Sequence, residues 1–188
     1  TELAGEIGVS RTPLREALID LNHSHVIETY PQRGSMVALI DPDLVEESRF
    51  IREVLDVSVV EIACDTATIE DIMNLEANVK LQEFYLENNV QDKLFELDNE
   101  FHKMIYTMAH KERTYAMKAG MMIHYDRVRA LSLITVKDNK IVNDHRLIME
   151  AIRNKDKEEA KRLMKKHLSR YDIDKEEIKK AYPQYYKH

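Results

Sequence analysis

The sequence predicts a mainly α-helical protein: a helix–turn–helix closed by a small β-hairpin, then an antiparallel all-α bundle of about six helices. Three observations carry this. Apolar residues recur at helical spacing through most of the chain. Alternating patterning is confined to residues 26–39. Only 4 Gly and 4 Pro interrupt 188 residues, of which 44% are hydrophobic and 33% charged.

The elements follow in order. Thr1 to Ile7 reads as a short helix with Leu3, Ala4 and Ile7 on one face, stopped by Gly8. A second helix begins at Ser10 to Thr12, with Pro13 in its first turn and Leu14, Ala17, Leu18 and Leu21 as an apolar stripe. Val26-Ile27-Glu28-Thr29-Tyr30 and Ser35-Met36-Val37-Ala38-Leu39 are β-like runs around the turn Pro31-Gln32-Arg33-Gly34. This order is that of a winged helix-turn-helix. The chain opens at Thr1 already inside an amphipathic helix, so the first helix of that unit is expected to be missing from this numbering.

Asp41-Pro42-Asp43 marks a boundary between residues 1–40 and 41–188, because Pro42 breaks the strand and a flanking Asp caps the next helix. Beyond it helices are expected over Leu44–Thr66, Ile69–Asn88, Gln91–Ala109, Arg113–Leu133, Asp138–Asn154 and Lys157–Tyr171, with a polar extension to Ala181.

Composition excludes several classes. No apolar run approaches the roughly 18 residues of a membrane helix, so no membrane partner is expected. The single Cys64 cannot form an intrachain disulfide and fits a reducing cytoplasm. Net charge is −6, and residues 1–40 hold three Arg against five acids, so nucleic-acid binding rests on placement rather than on bulk charge.

That placement is specific. Arg11 and Arg15 lie four apart at the start of the second helix, opposite its leucine stripe. In a helix-turn-helix these positions meet base edges in the major groove, where Arg reads guanine bidentately. Ser10 and Thr12 offer hydroxyls to phosphates, and Arg33 and Gly34 occupy the wing tip. The string Ile7-Gly8-Val9-Ser10-Arg11-Thr12-Pro13-Leu14-Arg15-Glu16-Ala17-Leu18, with the wing Pro31-Gln32-Arg33-Gly34 and Met36-Val37, resembles the DNA-binding signature of the GntR superfamily of bacterial repressors. The usual Glu-Gly-Leu after the recognition helix reads Ser24-His25-Val26, a departure that bears on the local turn and not on the groove contact. The resemblance implies a homodimer reading two half-sites of a double-stranded operator.

In the second part, Asp98 and His102 sit one helical turn apart beside the stripe Leu94, Leu97, Phe101, Ile105 and Met108. His145 shares a face with Ile141, Ile148 and Ile152, and His167 with Ala160, Leu163 and Tyr171. Either each is a core side chain bonded to a carbonyl, or the four meet at a divalent metal that satisfies them together. One carboxylate and three imidazoles suit Zn, Ni, Mn, Co or Fe alike. Asp98-Asn99-Glu100-Phe101-His102, then Asp144-His145 through Ile152, then Ala160 through His167-Leu168, is similar to the FCD sensor domain of FadR-type GntR regulators. The resemblance implies that Asp98, His102, His145 and His167 are the ligands and that a small carboxylate effector binds nearby.

Arg52-Glu53-Val54-Leu55-Asp56 resembles the family's Arg-x-x-Leu-Glu, with Asp56 for Glu. Arg52 either holds the effector's carboxylate or pairs with Asp56 at i+4. His124, on a stripe with Met117, Met121, Val128 and Leu131, is expected to face the cavity, with Arg127 a further effector contact. The expected function is a DNA-binding repressor and not an enzyme. A metal-dependent hydrolase is the rival, but no general base stands beside the ligands. A metal-sensing module without DNA activity is the other rival, and residues 1–39 argue against it.

Overall fold

The computed structural model describes residues 2–135 and 140–187. Helices α1 (Glu2–Glu6) and α2 (Arg11–His23) meet at a turn on Gly8, whose φ of +70° is the left-handed conformation Gly adopts without penalty. Strands β1 (Ile27–Tyr30) and β2 (Gly34–Val37) pair antiparallel from Ile27↔Val37 to Tyr30↔Gly34. After α2 the chain turns on His25 at φ 55°, closed by Ser24 N–H to Asp20 O, His25 N–H to Asn22 O and Val26 N–H to Leu21 O, each 3.0 Å. The turn that the resemblance assigns to Gly is therefore kept by a His, at a cost of about 1 kcal/mol. The Leu14, Leu18 and Leu21 stripe is only half-buried and Ala17 is exposed, since the two-stranded wing is the surface α2 packs on most.

Asp41 caps α3 (Pro42–Thr66), accepting the Asp43 N–H at 3.0 Å, with Pro42 in the first turn. Helix α4 (Ile69–Glu87) opens on a capping box between Thr68 and Asp71, and α5 (Gln91–Met108) follows.

The single helix expected over Arg113–Leu133 is two, α6 (Glu112–Ala119) and α7 (Ile123–Thr135), with the break at Gly120. The break resets the helical phase. Met117 and Met121, expected on one inward stripe with His124, are exposed, and Lys118 is buried instead. Helix α8 (Lys140–Arg153) follows; its expected start at Asp138 lies outside the described residues. Helix α9 (Lys157–Leu168) ends at Ser169, and α10 (Arg170–Ala181) leaves from there. The bundle thus has eight described helices, two more than expected, because Gly120 and Ser169 each divide one.

The main core lies among α3, α4, α5, α8 and α9, around Val60, Leu75, Phe101, Ile105, Ile148 and Met164. A second cluster joins Ile40, Val45, Tyr125, Val128, Ile178 and Tyr186. It exists because the tail folds back: after a 3-10 turn at Pro183–Tyr185, Ile40 N–H donates to Tyr185 O at 2.6 Å and Lys187 N–H to Ile40 O at 2.9 Å. Lys187 Nζ adds a 2.8 Å ion pair to Asp41. The last residues are thereby strapped to the segment that joins the winged unit to the bundle.

Candidate metal centre

One turn of α5 presents Asp98 and His102 inward, α8 presents His145 and α9 presents His167; all four are buried. Their ligand atoms lie within 4.8 Å of one another. His167 Nε2 stands 3.2 Å from His102 Nε2 and 3.3 Å from His145 Nε2, and Asp98 Oδ1 is 3.5 Å from His145 Nε2. A cation bound at about 2.1 Å sets neighbouring donor atoms about 3.0–3.4 Å apart, so the spacing fits one ion.

The rings are oriented from behind. His102 Nδ1 lies 3.1 Å from Asp56 Oδ2. His145 Nδ1 lies 2.7 Å from Gln82 Oε1. Gln82 Nε2 donates to Asn78 Oδ1 at 2.6 Å, and Asn78 Nδ2 to the Leu97 carbonyl at 3.2 Å. This chain of directional bonds starts from a carbonyl, which can only accept. It makes Gln82 Oε1 an acceptor, puts the His145 proton on Nδ1 and turns the Nε2 lone pair to the centre. Phe101 stacks on the His145 ring with centroids 4.0 Å apart.

Burial is the main cause that depresses all three imidazoles: His102 to about 4, His145 to about 3, and His167 well below its usual range, with neighbouring cations and histidines adding. Neutral imidazole is the metal-binding form. Burial works the other way on Asp98, but Arg129, His102, His145 and Arg52 outweigh it and hold its carboxyl well below the usual range. Arg129 bonds Asp98 Oδ2 and leaves Oδ1 to the centre.

Of its two expected alternatives, Arg52 makes the pair with Asp56. Its Nε is 3.3 Å from Asp56, and its guanidinium lines two cavities. One, of about 50 Å³, is bounded by Asp98, His167, Tyr125, Arg129 and Arg170. The other, of about 200 Å³, is bounded by His102, Tyr115, Lys118 and Arg129. Asp56 gathers Tyr106 Oη at 2.6 Å and Lys118 Nζ at 2.5 Å. Burial brings Lys118 down to about 8 against the pull of Asp56.

His124 and Arg127 are corrected. Neither lines these cavities; His124 Nε2 is 2.8 Å from the Ser24 carbonyl, and Arg127 Nη2 donates to the Ala38 carbonyl at 2.6 Å. Both face the winged unit, while Val128 of the expected stripe lines the smaller cavity with Tyr125 and Arg129. Sequence reading passed over Asn78, Gln82 and Lys118. Asn78 and Gln82 carried a signal: they are polar at i and i+4 on the inward face of α4, beside Leu75 and Val79.

On the winged unit, Ser10, Arg11, Thr12, Arg15, Arg33 and Gly34 are all exposed. Ser10 precedes α2 and makes no side-chain capping bond. Among the described residues Arg11, Arg15 and Arg33 form no ion pair. Gly34, at φ +94°, has open space where a Cβ would be, so the turn requires it for conformation.

A two-stranded wing beside an exposed arginine-bearing helix, joined to a helical bundle with a buried polar centre, defines a DNA-binding regulator with a sensor-like second half. Residues 1–37 match the bacterial regulatory proteins of the gntR family, and residues 47–170 match the FCD domain. The chain belongs to the GntR family of transcriptional regulators and carries an FCD domain. It is 31% identical over 168 residues to the HTH-type transcriptional repressor RspR of Escherichia coli, covering 89% of this chain and 74% of that one. It is 29% identical to an HTH-type transcriptional regulator of an unstable DNA locus in Streptomyces ambofaciens, over 97% of this chain and 77% of that one. The fold is similar to E. coli McbR/YncC, with a TM-score of 0.80 at 18% identity over 96% of this chain and 85% of that one. These families and relatives are regulators, not enzymes. No helix among the described residues is long and apolar enough to cross a membrane.

Proposed function

We propose that the protein is a cytoplasmic, homodimeric repressor whose bundle, residues 41–188, binds a divalent transition metal at Asp98, His102, His145 and His167 and a small carboxylate effector beside it. Residues 1–40 read the operator through Ser10, Arg11, Thr12, Arg15, Arg33 and Gly34. An N/O donor set of this kind takes Zn, Ni, Mn, Co or Fe, and the ion would contribute positive charge and a Lewis-acidic position for an acid group.

One observation carries the regulatory reading. Helix α7 walls both cavities through Arg129, and the same helix holds the winged unit through His124 and Arg127. An acid group taken by Arg52 and Arg129 fits their forked donors. The 50 Å³ cavity is smaller than a metabolite, so an effector entering there moves α7 or α10, and α10 leads to the strap on Ile40. Binding energy spent on that displacement shifts the population of reader orientations.

The dimer is supported by α4, which exposes Ile69, Met73, Leu81 and Phe84 along one face with Ala77 at the middle. Two such faces packed antiparallel place Ala77 against its own copy, as a two-fold interface requires.

Selection of bound duplexes from a random pool, with the metal content of the same sample measured, tests this. A two-fold symmetric site and one ion per chain are expected. Addition of small organic acids should change duplex affinity, and Arg52→Ala should remove that response. An asymmetric single half-site, or no metal in protein prepared with each candidate ion, would overturn the corresponding half of the reading.

A further inference from the structure

The three imidazoles of the centre are not equivalent. His102 and His145 each have an acceptor behind them, Asp56 Oδ2 at 3.1 Å and Gln82 Oε1 at 2.7 Å, so both hold their proton on Nδ1. His167 does not: its Nδ1 is buried without a hydrogen-bond partner. Its Nε2 lies 3.2 and 3.3 Å from the other two Nε2 atoms. Three lone pairs at that spacing repel. The arrangement is satisfied when His167 keeps its proton on Nε2, shared with His102 and His145, and leaves Nδ1 bare.

A metal needs the opposite tautomer. With Nε2 given to the ion, the His167 proton must sit on Nδ1, where a buried N–H requires an acceptor. Asp144 stands beside it: its Oδ2 is 3.9 Å from His167 Nδ1, and its Oδ1 is itself buried without a hydrogen bond. His167 Nδ1 thus stands about 1 Å beyond bonding distance of Asp144 Oδ2, on a carboxylate whose other oxygen has room for a further partner.

We propose that Asp144 is the positioning residue of the third imidazole: on metal binding His167 passes from the Nε2–H to the Nδ1–H tautomer and donates that proton to Asp144. The exchange leaves the ring neutral, with one N–H lost at Nε2 and one formed at Nδ1. Asp144 is held in place by Arg170 Nε from the first turn of α10, with Lys166 Nζ 3.9 Å from Oδ1. The proposal rests on the metal-binding reading of the four ligands.

Zinc affinity by chelator competition, on the full chain, tests it together with the histidine tautomers seen by two-bond ¹H–¹⁵N NMR. Loss of an orienting partner weakens metal binding about 10–100-fold. Asp144→Val should show that loss, and Asp144→Asn, which keeps an acceptor oxygen, should recover most of it. Arg170→Met removes the same ion pair but not the acceptor, and should stay within about 3-fold of the parent. In the zinc-loaded parent His167 should carry its proton on Nδ1. Parent-like zinc affinity in Asp144→Val, an equal loss in Arg170→Met, or His167 without a proton on Nδ1 in the zinc-loaded parent overturns the proposal. The last readout needs no variant to fold. Failure of the parent itself to take zinc or any other divalent ion would refute the metal reading, and the positioning role with it.

Discussion

At the scale of single residues, burial sets the chemistry. The three histidines stay neutral because a buried imidazolium is costly, and a neutral ring with its Nδ1 proton engaged is a prepared metal ligand. Arg52 and Arg129 are held by ion pairs to Asp56 and Asp98, which fixes their guanidinium groups at the cavity walls. On the winged unit Arg11, Arg15 and Arg33 are exposed and, among the described residues, their side chains form no ion pair. Arg15→Ala is expected to weaken binding to the selected duplex about 10–100-fold, the 1–3 kcal/mol of one bidentate base contact. Fluorescence anisotropy measures it, and an unchanged melting temperature shows that the fold is intact. Equal affinity for parent and variant would remove Arg15 from the interface. The inward facing of Asp98, His102, His145 and His167 was legible in the sequence because their helices run regularly, so i and i+4 spacing fixes which side chains face inward. Gln82 and Asn78 were harder to read, because a polar residue on an inward face gains meaning only when its partner on another helix is known.

At the scale of elements, α7 is the helix that touches both halves. Spacing placed Val128 and Leu131 inward, but the break at Gly120 leaves Met117 and Met121 outside that stripe; His124 and Arg127 reach carbonyls of the winged unit, and Lys118 of α6 turns inward. Arg127 makes a charge-assisted bond to the Ala38 carbonyl, of a kind that contributes about 1.5–3 kcal/mol. Arg127→Met is expected to leave metal content unchanged, and to leave intact the thermal shift produced by an active organic acid, while reducing that acid's effect on duplex affinity several-fold. Titrations of duplex with and without the acid provide the check. A full response in the variant would show that α7 does not carry the signal through this bond. The helix ends show a second element-level rule: with only 4 Gly in the chain, the turns after α4, α5 and α8 use Asn89, His110 and Lys155 in the left-handed region. Each is mildly strained, which is tolerated because the helices it ends are packed into the main core.

At the scale of the whole molecule, the strap and the exposed α4 face govern assembly. Tail, linker, α3, α7 and α10 share one small apolar cluster, so the winged unit is tied to the bundle at two places, through α7 and through Ile40. The stripe Ile69, Met73, Leu81 and Phe84 is exposed, and it is the face proposed to pair with a second copy. The double variant Leu81→Glu with Phe84→Glu is expected to halve the mass seen by sedimentation and to bind a single half-site weakly, with metal uptake retained. A dimer in that variant would place the interface elsewhere.

By itself the sequence determined the mainly helical class, the winged unit, the cap at Asp41 and the inward facing of Asp98, His102, His145 and His167. These follow from local rules: periodicity, capping and the conformational limits of Gly and Pro act over a few residues. The tertiary structure alone decided which rings are oriented and which is left orphaned, where α7 points, and that the tail closes on Ile40. Those outcomes depend on contacts between residues about 20 to 150 positions apart, which helical spacing within one segment does not encode.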